Sequence, residues 1–278
     1  MMVVSKSLKD FLDTKKNDYR LLGDVERHIL KKARPPRSTT VLHPSEIIKP
    51  DWCHRYSWYL LSGGVPKVDK PGLRLQNIFD EGHLIHAKWQ KRFQDMGVLY
   101  GKFQCISCKY IGTGLSPESC QKCDSDMLEY KEVSLYDNDH KIAGHTDGWI
   151  KNIGEDCLIE IKSIGAGTLR FEAPELLMDA DNDLTKAWKG IRRPFRSHLL
   201  QGQMYLELAH RMYGDQAPKE IVFIYELKAD QDYKEFVVKA DPETVEKIFY
   251  YAKKIADAKE MPDCNVSPGG CKQCNLIS

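Results

Sequence analysis

The sequence predicts a mixed α/β fold, in which the strands of one sheet are flanked by helices. Runs of β-type residues bounded by turn residues fall at about 131–137, 141–151, 157–164, 219–227 and 233–240. Apolar residues at helical spacing fall at 74–97 and 197–213, and in a last segment that begins after Asp241-Pro242 and ends near 259. A chain of 278 residues can form one large core or two smaller ones.

The N-terminal part of the chain differs in character from the rest. Residues 1–40 are predicted to form a basic helical arm, and residues 41–278 the main domain. The basic residues of the arm surround a Pro-Pro break and are Arg27, Lys31, Lys32, Arg34 and Arg37. After the arm, Ser45 is predicted to cap a short helix that leads to Cys53.

Two short motifs carry the main chemical signal. Gly144-His145-Thr146-Asp147-Gly148 and Glu160-Ile161-Lys162 lie on the runs 141–151 and 157–164, which are predicted to pair as a hairpin across the turn at 151–156. Side chains alternate along a strand, so Glu160 and Lys162 face one side while Ile161 faces the core. Two carboxylates and a lysine then converge, and such a group can hold a divalent cation and stabilise charge on a phosphate.

The helices on either side supply further candidates. His83 and His86 are one turn apart in the segment 74–97, so at most one of them is expected to face the site, where its imidazole could serve as a nitrogen ligand. Gln201 and Tyr205 share one helix face at i and i+4. An amide and a phenol together can hold a lysine and contact a phosphodiester.

In chain order, Gly82-x-x-x-His86, Gly144-x-x-Asp147-Gly148, Glu160-x-Lys162-Ser163 and Gln201-x-x-x-Tyr205 resemble the motifs of the RecB-like branch of the PD-(D/E)XK nuclease superfamily. The resemblance covers residues 40 to 278. Within that branch, the chain is most similar to the CRISPR-associated exonucleases (Cas family four), including their phage-type stand-alone relatives, and to the AddB nuclease domain. The resemblance implies a PD-(D/E)XK core sheet flanked by helices and a metal-dependent DNA exonuclease activity.

The same resemblance implies a role for each motif residue. His86, Asp147, Glu160 and the backbone carbonyl of Ile161 would bind Mg²⁺ or Mn²⁺, with the histidine favouring Mn²⁺. Lys162 would position or polarise the attacking water. Gln201 and Tyr205 would border the site as part of the catalytic set.

The cysteines indicate metal binding. The chain has nine cysteines and neither an apolar leader nor an 18-residue apolar run, which favours a reducing cytoplasm and no membrane span. Clustered cysteines in that compartment typically bind metal. Two Cys-x-x-Cys pairs in the segment 102–130 predict a zinc ribbon inserted in the main domain, with the four ligands Cys105, Cys108, Cys120 and Cys123.

A second group of cysteines lies at the C-terminus. Cys264, Cys271 and Cys274 have no fourth cysteine nearby, and Cys53 is their natural partner. The nuclease resemblance implies a [4Fe–4S] cluster that joins the chain ends, although here the wide Cys gap precedes the close pair, the reverse of the usual family order. Four thiolates suit either this cluster or a second zinc ion. The ninth cysteine, Cys157, is expected to be a small buried apolar residue.

The chain has a net charge of +1, so attraction to DNA depends on local patches. The segment before Gln201 combines basic and aromatic residues, a pattern typical of single-strand binding. Trp188, Arg192, Arg193 and Arg196 are its candidate DNA contacts.

Three functions are compatible with the sequence. The leading one is a DNA exonuclease acting on free ends, preferring single strands, in recombination, replication or end-processing and with proteins of those systems as candidate partners. The second is a non-catalytic DNA-binding or assembly subunit, against which the complete set of motifs argues. The third is an end-trimming nuclease of CRISPR adaptation that works within an integrase complex.

Overall fold

In the computed structural model of the protein, the described residues are 21–31, 37–66 and 72–266. They divide into two units. The smaller unit contains residues 21–31, 37 and 72–81, and the larger contains residues 38–66 and 82–266. Cys271 and Cys274 of the predicted cluster, and Lys32 and Arg34 of the predicted arm, lie outside the described residues.

The described helices are α1 (Leu22–Lys31), α2 (Pro44–Ile47), α3 (His54–Leu61), α4 (Leu73–Asp95), α5 (Ala166–Glu172), α6 (Pro174–Asp179), α7 (Leu184–Gly190), α8 (Arg196–Tyr213) and α9 (Glu243–Asp257). The strands are β1 (Leu99–Cys105), β2 (Ile111–Leu115), β3 (Leu128–Lys131), β4 (Val133–Asp137), β5 (Ile142–Thr146), β6 (Gly148–Ile150), β7 (Cys157–Ile164), β8 (Glu220–Leu227) and β9 (Tyr233–Lys239). A 3₁₀ turn, Gly214–Gln216, follows α8.

The central sheet of the larger unit has the order β2-β1-β6-β7-β8-β9, with β3 also pairing with β1. Strands β7 and β8 are parallel, and the other pairs are antiparallel. A parallel pair needs a long crossover connection, and the chain from α5 to α8 supplies it. The predicted mixed α/β class, with a central sheet flanked by helices, is therefore confirmed.

Strand β7 is buried on both faces, which explains its nearly continuous apolar sequence. Leu158 and Ile164 belong to the larger hydrophobic core, beneath α8 and α9. Ile159 and Ile161 belong to a second cluster that includes Ile85 of α4. Glu160 and Lys162 alternate with this second set, as the strand period predicts. They therefore lie on the same face of the sheet as Leu158 and Ile164.

The predicted strand 141–151 is in fact two strands in two sheets. β5 pairs with β4 in a separate two-stranded sheet, where Thr146 lies opposite Val133. After one intervening residue, Asp147, the chain enters β6, which joins the central sheet with Gly148 opposite Ile159. A Cβ on Gly148 would lie 2.7 Å from Cδ1 of Leu99, so the absence of a side chain allows this close strand crossing. Asp147 therefore lies between the two sheets.

The N-terminal helices of the larger unit differ in detail from the prediction. The N-cap of α2 is His43, and Pro44 occupies the first turn, so the prediction that Ser45 caps this helix was wrong. Proline has no backbone N–H to satisfy and suits that position. Cys53 instead caps the next helix, α3, where its sulfur accepts a hydrogen bond from the Tyr56 N–H at 3.4 Å.

Among the described helices, none is both long enough and apolar enough to cross a bilayer.

Candidate active site

Asp147 is held at the passage from β5 to β6. Its Oδ2 accepts a hydrogen bond from the Ile161 N–H at 2.6 Å, and its backbone carbonyl accepts one from Nε2 of Gln90 at 2.9 Å. Nearby, Oγ1 of Thr146 donates to the Ile159 carbonyl at 2.8 Å. These hydrogen bonds connect the passage from β5 to β6 with β7 and α4. Asp147 is only 5% exposed.

His86 is the α4 histidine that reaches this carboxylate. Its Nδ1 lies 2.9 Å from Oδ1 of Asp147, whereas His83 is exposed. Burial acts to lower the pKa of His86, but the hydrogen bond to Asp147 and the charges of Asp147 and Glu160 together raise it. With Nδ1–H donated to Asp147, the lone pair remains on Nε2, which is the usual arrangement of a metal-binding imidazole.

Helix α4 is held in place by a buried carboxylate on β8. Glu226 is 1% exposed and accepts hydrogen bonds from Nζ of Lys88 at 2.5 Å and from Nε1 of Trp89 at 2.7 Å. Both donors follow His86 within one helical turn. Glu226 therefore fixes the position and orientation, relative to β8, of the turn of α4 that carries His86.

Glu160 and Lys162 begin a chain of side-chain contacts that ends on α8. Nζ of Lys162 donates to Oε1 of Glu160 at 2.7 Å and to Oε1 of Gln201 at 2.8 Å. Nε2 of Gln201 in turn donates to the Tyr205 hydroxyl at 2.9 Å. A Cβ on Gly144 would lie 2.9 Å from Cε1 of Tyr205, so the glycine of the first motif makes room for this ring.

The second oxygen of Glu160 has no such partner. Glu160 is 4% exposed, and its Oε2 is buried without a hydrogen-bond partner among the described residues. Burial raises the pKa of Glu160 to about 7, against the opposing charge of Lys162. An unpaired buried carboxylate oxygen is costly unless a positive group compensates it. Glu160 also interacts electrostatically with the Asp147 carboxylate and the His86 imidazole, and carboxylates with an imidazole are the donor types that suit a divalent cation.

Glu132 is a candidate ligand that sequence reasoning missed. It lies between β3 and β4, and ligand atoms of His86, Glu132 and Asp147 all lie within 4.8 Å of one another. Partial desolvation of its carboxylate and the negative charge of Asp147 raise the pKa of Glu132, although the residue as a whole is exposed. Its sequence context, Glu129-Tyr130-Lys131-Glu132, is that of an ordinary charged strand. Only the bend between the two sheets brings it to Asp147.

Ile161 lies at the centre of this group. Its side chain is buried in the second cluster, and its N–H is bound to Asp147, as described above. Its carbonyl as a metal ligand stays a prediction.

The four cysteines of the predicted zinc ribbon come together. Sulfur atoms of Cys105 and Cys123 lie 3.6 Å apart, as do those of Cys108 and Cys120. In a tetrahedral site with Zn–S bonds of about 2.3 Å, the sulfurs lie about 3.8 Å apart, so the observed spacing fits zinc. The Cys108 N–H, 3.5 Å from the Cys105 sulfur, contributes most to lowering the pKa of Cys105 to about 6, which favours the thiolate that a metal needs. Cys105 ends β1, so the group adjoins the central sheet.

The chain segments that carry Cys53 and Cys264 are in contact. Asn265 accepts a hydrogen bond from the His54 N–H at 2.8 Å and donates to the Trp52 carbonyl at 2.9 Å, on both sides of Cys53. Cys53 is buried and Cys264 is exposed. The segment around Cys53 therefore contacts the segment around Asn265, and these two segments carry two of the four cysteines of the predicted second cluster. Cys157 is buried in β7, as expected for a small apolar residue.

The predicted DNA-contacting residues divide into two groups. Arg192, Arg193 and Arg196 are exposed and line a surface cavity of about 630 Å³ beside the start of α8, with Glu172 at its edge. Trp188 is 1% exposed, and its Nε1 donates to Asp232 at 2.7 Å. A base cannot stack on a tryptophan that is packed in the core, so the prediction that Trp188 contacts DNA was wrong.

Comparison with known proteins yields distant structural similarity only. No family model and no curated protein matches the chain. The alkaline exonuclease LHK-Exo from Laribacter hongkongensis has a TM-score of 0.43 at 12% identity, covering 78% of this chain and 87% of its own. Its complex with dAMP gives 0.40 at 11% identity, covering the same 78% and 87%. The structure of SSO0001 gives 0.37 at 12% identity over 92% of this chain and 90% of its own.

Proposed function

We propose that this protein is a metal-dependent DNA exonuclease of the PD-(D/E)XK type. The observation that carries the proposal is the convergence of the His86–Asp147 pair with Glu160 and Lys162 at β7, beside a buried carboxylate oxygen that lacks a partner among the described residues. A negatively charged site with a single ammonium group suits cation-assisted attack on a phosphodiester.

The cation would be held by Asp147, Glu160 and His86, with the Ile161 carbonyl as a further ligand and Glu132 within reach of the same position. When bound, Mg²⁺ or Mn²⁺ would neutralise charge on the scissile phosphate and acidify a water molecule. The mixed nitrogen and oxygen donor set favours Mn²⁺ over Mg²⁺.

Lys162 is positioned to act on the phosphate or on the attacking water. An ammonium group has three N–H donors, and Glu160 and Gln201 take two of them among the described residues. The third N–H can donate to a phosphate oxygen or orient the nucleophile. Gln201 keeps its carbonyl toward Lys162 because its amide N–H₂ is engaged by Tyr205.

DNA would reach the site along the exposed side chains of Arg192, Arg193 and Arg196. Guanidinium groups bind phosphates without reading sequence, which suits an enzyme that moves along a strand. Action at DNA ends is what the sequence resemblance implies, and the proposed preference for single strands rests on the basic and aromatic segment before Gln201. Recombination, replication or end-processing in the cytoplasm is the proposed setting, and end trimming in CRISPR adaptation is a special case of the same chemistry.

The cysteine sites are proposed to be structural. Zn²⁺ would join the ends of β1 and β3 through Cys105, Cys108, Cys120 and Cys123. A [4Fe–4S] cluster, or a second zinc, would join Cys53 to the three C-terminal cysteines, and the Asn265 contacts at Cys53 support that pairing of chain segments.

The experiment that tests the activity is cleavage of end-labelled single- and double-stranded DNA with Mn²⁺ or Mg²⁺. The protein should be purified without oxygen so that an iron–sulfur cluster survives. Glu160→Gln should abolish cleavage, whereas Glu155→Gln, an exposed glutamate in the turn at the other end of the β6–β7 hairpin, should cut like wild type. If wild type and both variants bind DNA and none cuts, the protein is a DNA-binding or assembly subunit and the proposed activity is wrong.

A further inference from the structure

His198 is a half-buried histidine next to the candidate active site that has no role in the proposed chemistry. Lys162 and Tyr225 are opposite each other in the parallel pair β7–β8, so their side chains lie on the same face of the sheet. Helix α8 has side-chain contacts with both of these residues. Gln201 contacts Lys162, and His198, one turn earlier, places its Nδ1 2.5 Å from the Tyr225 hydroxyl. His198 is therefore adjacent to Lys162.

The hydrogen bonds around Tyr225 determine which nitrogen of His198 carries the proton. The Phe195 N–H donates to the Tyr225 hydroxyl oxygen at 2.9 Å. The hydroxyl hydrogen of Tyr225 is therefore free to be donated to another acceptor. Among the described residues, Nδ1 of His198 is the one acceptor within reach of the Tyr225 hydroxyl hydrogen. If Nδ1 carried the proton instead, the hydroxyl hydrogen would have no acceptor. Nδ1 therefore accepts, and Nε2 carries the hydrogen.

The charge state agrees with this assignment. Burial, with a smaller effect from the charge of Lys162, lowers the pKa of His198 to about 2, so the ring is neutral at physiological pH. Burial also raises the pKa of Tyr225, so the phenol keeps its hydrogen. The ring is oriented by contacts with Phe195 and Tyr225, whose centroids lie 5.5 Å and 5.3 Å away.

We infer that His198 binds a DNA phosphate through Nε2–H, next to the phosphate that Lys162 contacts, and that Tyr225 acts as the positioning residue that sets its tautomer. Nε2 has no hydrogen-bond partner among the described residues, whereas Nδ1 and the ring contact Tyr225 and Phe195. A fixed neutral donor beside an ammonium group, on the helix that begins with Arg196, suits a backbone oxygen of the strand. The inference rests on the proposed function, because the ligand is the DNA substrate.

A matched pair of variants separates this role from simple packing. In His198→Asn the side-chain oxygen can still accept the Tyr225 hydroxyl, but nothing replaces the distal N–H. In His198→Gln the longer amide can supply an N–H near the position of Nε2. We expect His198→Asn to raise KM on an end-labelled oligonucleotide by about tenfold with kcat nearly unchanged, and His198→Gln to stay within about threefold of wild type.

Binding is measured separately from cleavage, by the fluorescence anisotropy of a labelled single-stranded oligonucleotide in Ca²⁺. If His198→Asn binds as tightly as wild type, or if both variants weaken binding equally, the inference is wrong. Weaker binding by His198→Asn alone supports it, even if wild type does not cut, a result that would refute only the nuclease proposal. If wild type does not bind the oligonucleotide at all, both proposals fail.

The tautomer can be observed directly. In protein labelled with ¹⁵N-histidine, the signals of the His198 ring, assigned by their loss in His198→Asn, show which nitrogen bears hydrogen. A protonated Nε2 and an unprotonated Nδ1 support the inference, and the opposite pattern overturns it. Tyr225→Phe should weaken the preference for this tautomer while leaving the ring in place.

Discussion

Asp147 accepts a 2.6 Å hydrogen bond from the backbone N–H of Ile161, the residue between Glu160 and Lys162. This bond connects the point where the chain leaves one sheet for another to the middle of β7. It places the first carboxylate directly beside the residues of the second motif. Because the donor is a main-chain group, the position of Asp147 depends on the register of β6 and β7 rather than on a flexible side chain.

Asp147→Asn tests the cation site with little change in shape. The amide can still accept from Ile161, but the charge that attracts a divalent ion is lost. We expect cleavage to fall by about 100-fold or more, and Mn²⁺ affinity measured by calorimetry to fall with it. The control is Asp156→Asn, an exposed aspartate 3.3 Å from Lys151, which should leave both quantities unchanged. Equal Mn²⁺ affinity in wild type and Asp147→Asn would contradict the site.

A graded loss is expected along the chain Lys162–Gln201–Tyr205. Lys162→Met removes the ammonium and should slow single-turnover cleavage about 100-fold, Gln201→Ala about tenfold and Tyr205→Phe about threefold. The order follows from the distance of each group from the reacting phosphate. His210→Ala is the control on the same helix, because His210 is exposed near its C-terminal end. A larger loss in Tyr205→Phe than in Gln201→Ala would contradict this arrangement.

Glu226→Gln is expected to destabilise the fold and to loosen α4. The substitution keeps the side-chain shape but removes the charge that binds Lys88 and Trp89. The free energy of unfolding in urea should fall by about 2 kcal/mol, the size of a buried hydrogen bond to a charged group. Mn²⁺ affinity should fall as well, since His86 follows the position of α4. Glu235→Gln, on the exposed side of β9, should change neither value.

The raised pKa of Glu160 predicts a pH dependence of stability in the absence of metal. Burial raises this pKa from 4.5 to about 7, so between these values the folded protein holds a proton that the unfolded chain has released. The stability contributed by this group is present at low pH and is lost as pH rises through about 7. Thermal melting in EDTA should therefore show a steeper fall from pH 5 to pH 8 for wild type than for Glu160→Gln. Parallel curves for the two proteins would contradict the assignment.

The four-cysteine group predicts one zinc ion per chain at that site. Cys120→Ser should release this zinc, measured with a colorimetric chelator after unfolding, and should lower the melting temperature, because Cys120 and Cys108 are paired in the observed geometry. Cys157→Ala is the control, since Cys157 lies in β7 away from that group. Unchanged zinc content in Cys120→Ser would show that the four-cysteine group of Cys105, Cys108, Cys120 and Cys123 holds no zinc.

Features that depend on local sequence were predicted well. The alternation Ile159, Glu160, Ile161, Lys162 predicted which side chains share a face, and the i, i+4 spacing of Gln201 and Tyr205 predicted their contact. The helix around His86 was expected at 74–97 and extends from Leu73 to Asp95. In each case the periodicity of one element determines the result, and no distant residue is needed.

Features that depend on packing between distant helices and strands were not predicted from the sequence. Thr146 and Gly148 were assigned to one strand, but they pair with different sheets. Glu132 gave no local signal of its proximity to Asp147. Trp188 lies among basic residues in the sequence, which predicted an exposed DNA contact, yet its indole packs in the core and donates a hydrogen bond to Asp232. Hydropathy and charge along the chain do not show which face of a short helix is covered by a neighbouring strand.

The amino-acid sequence by itself determined the class of the fold, the strand that carries Glu160 and Lys162, and the residue types of the candidate site, because these follow from short-range periodicity and the chemistry of the side chains. Only the tertiary structure decided that Asp147 lies at a crossing between two sheets, that Glu132 joins His86 there, and that Nδ1 of His198 lies beside the Tyr225 hydroxyl. These relations arise from contacts between residues far apart in the chain, and their distances are set by strand register and helix packing rather than by any local pattern.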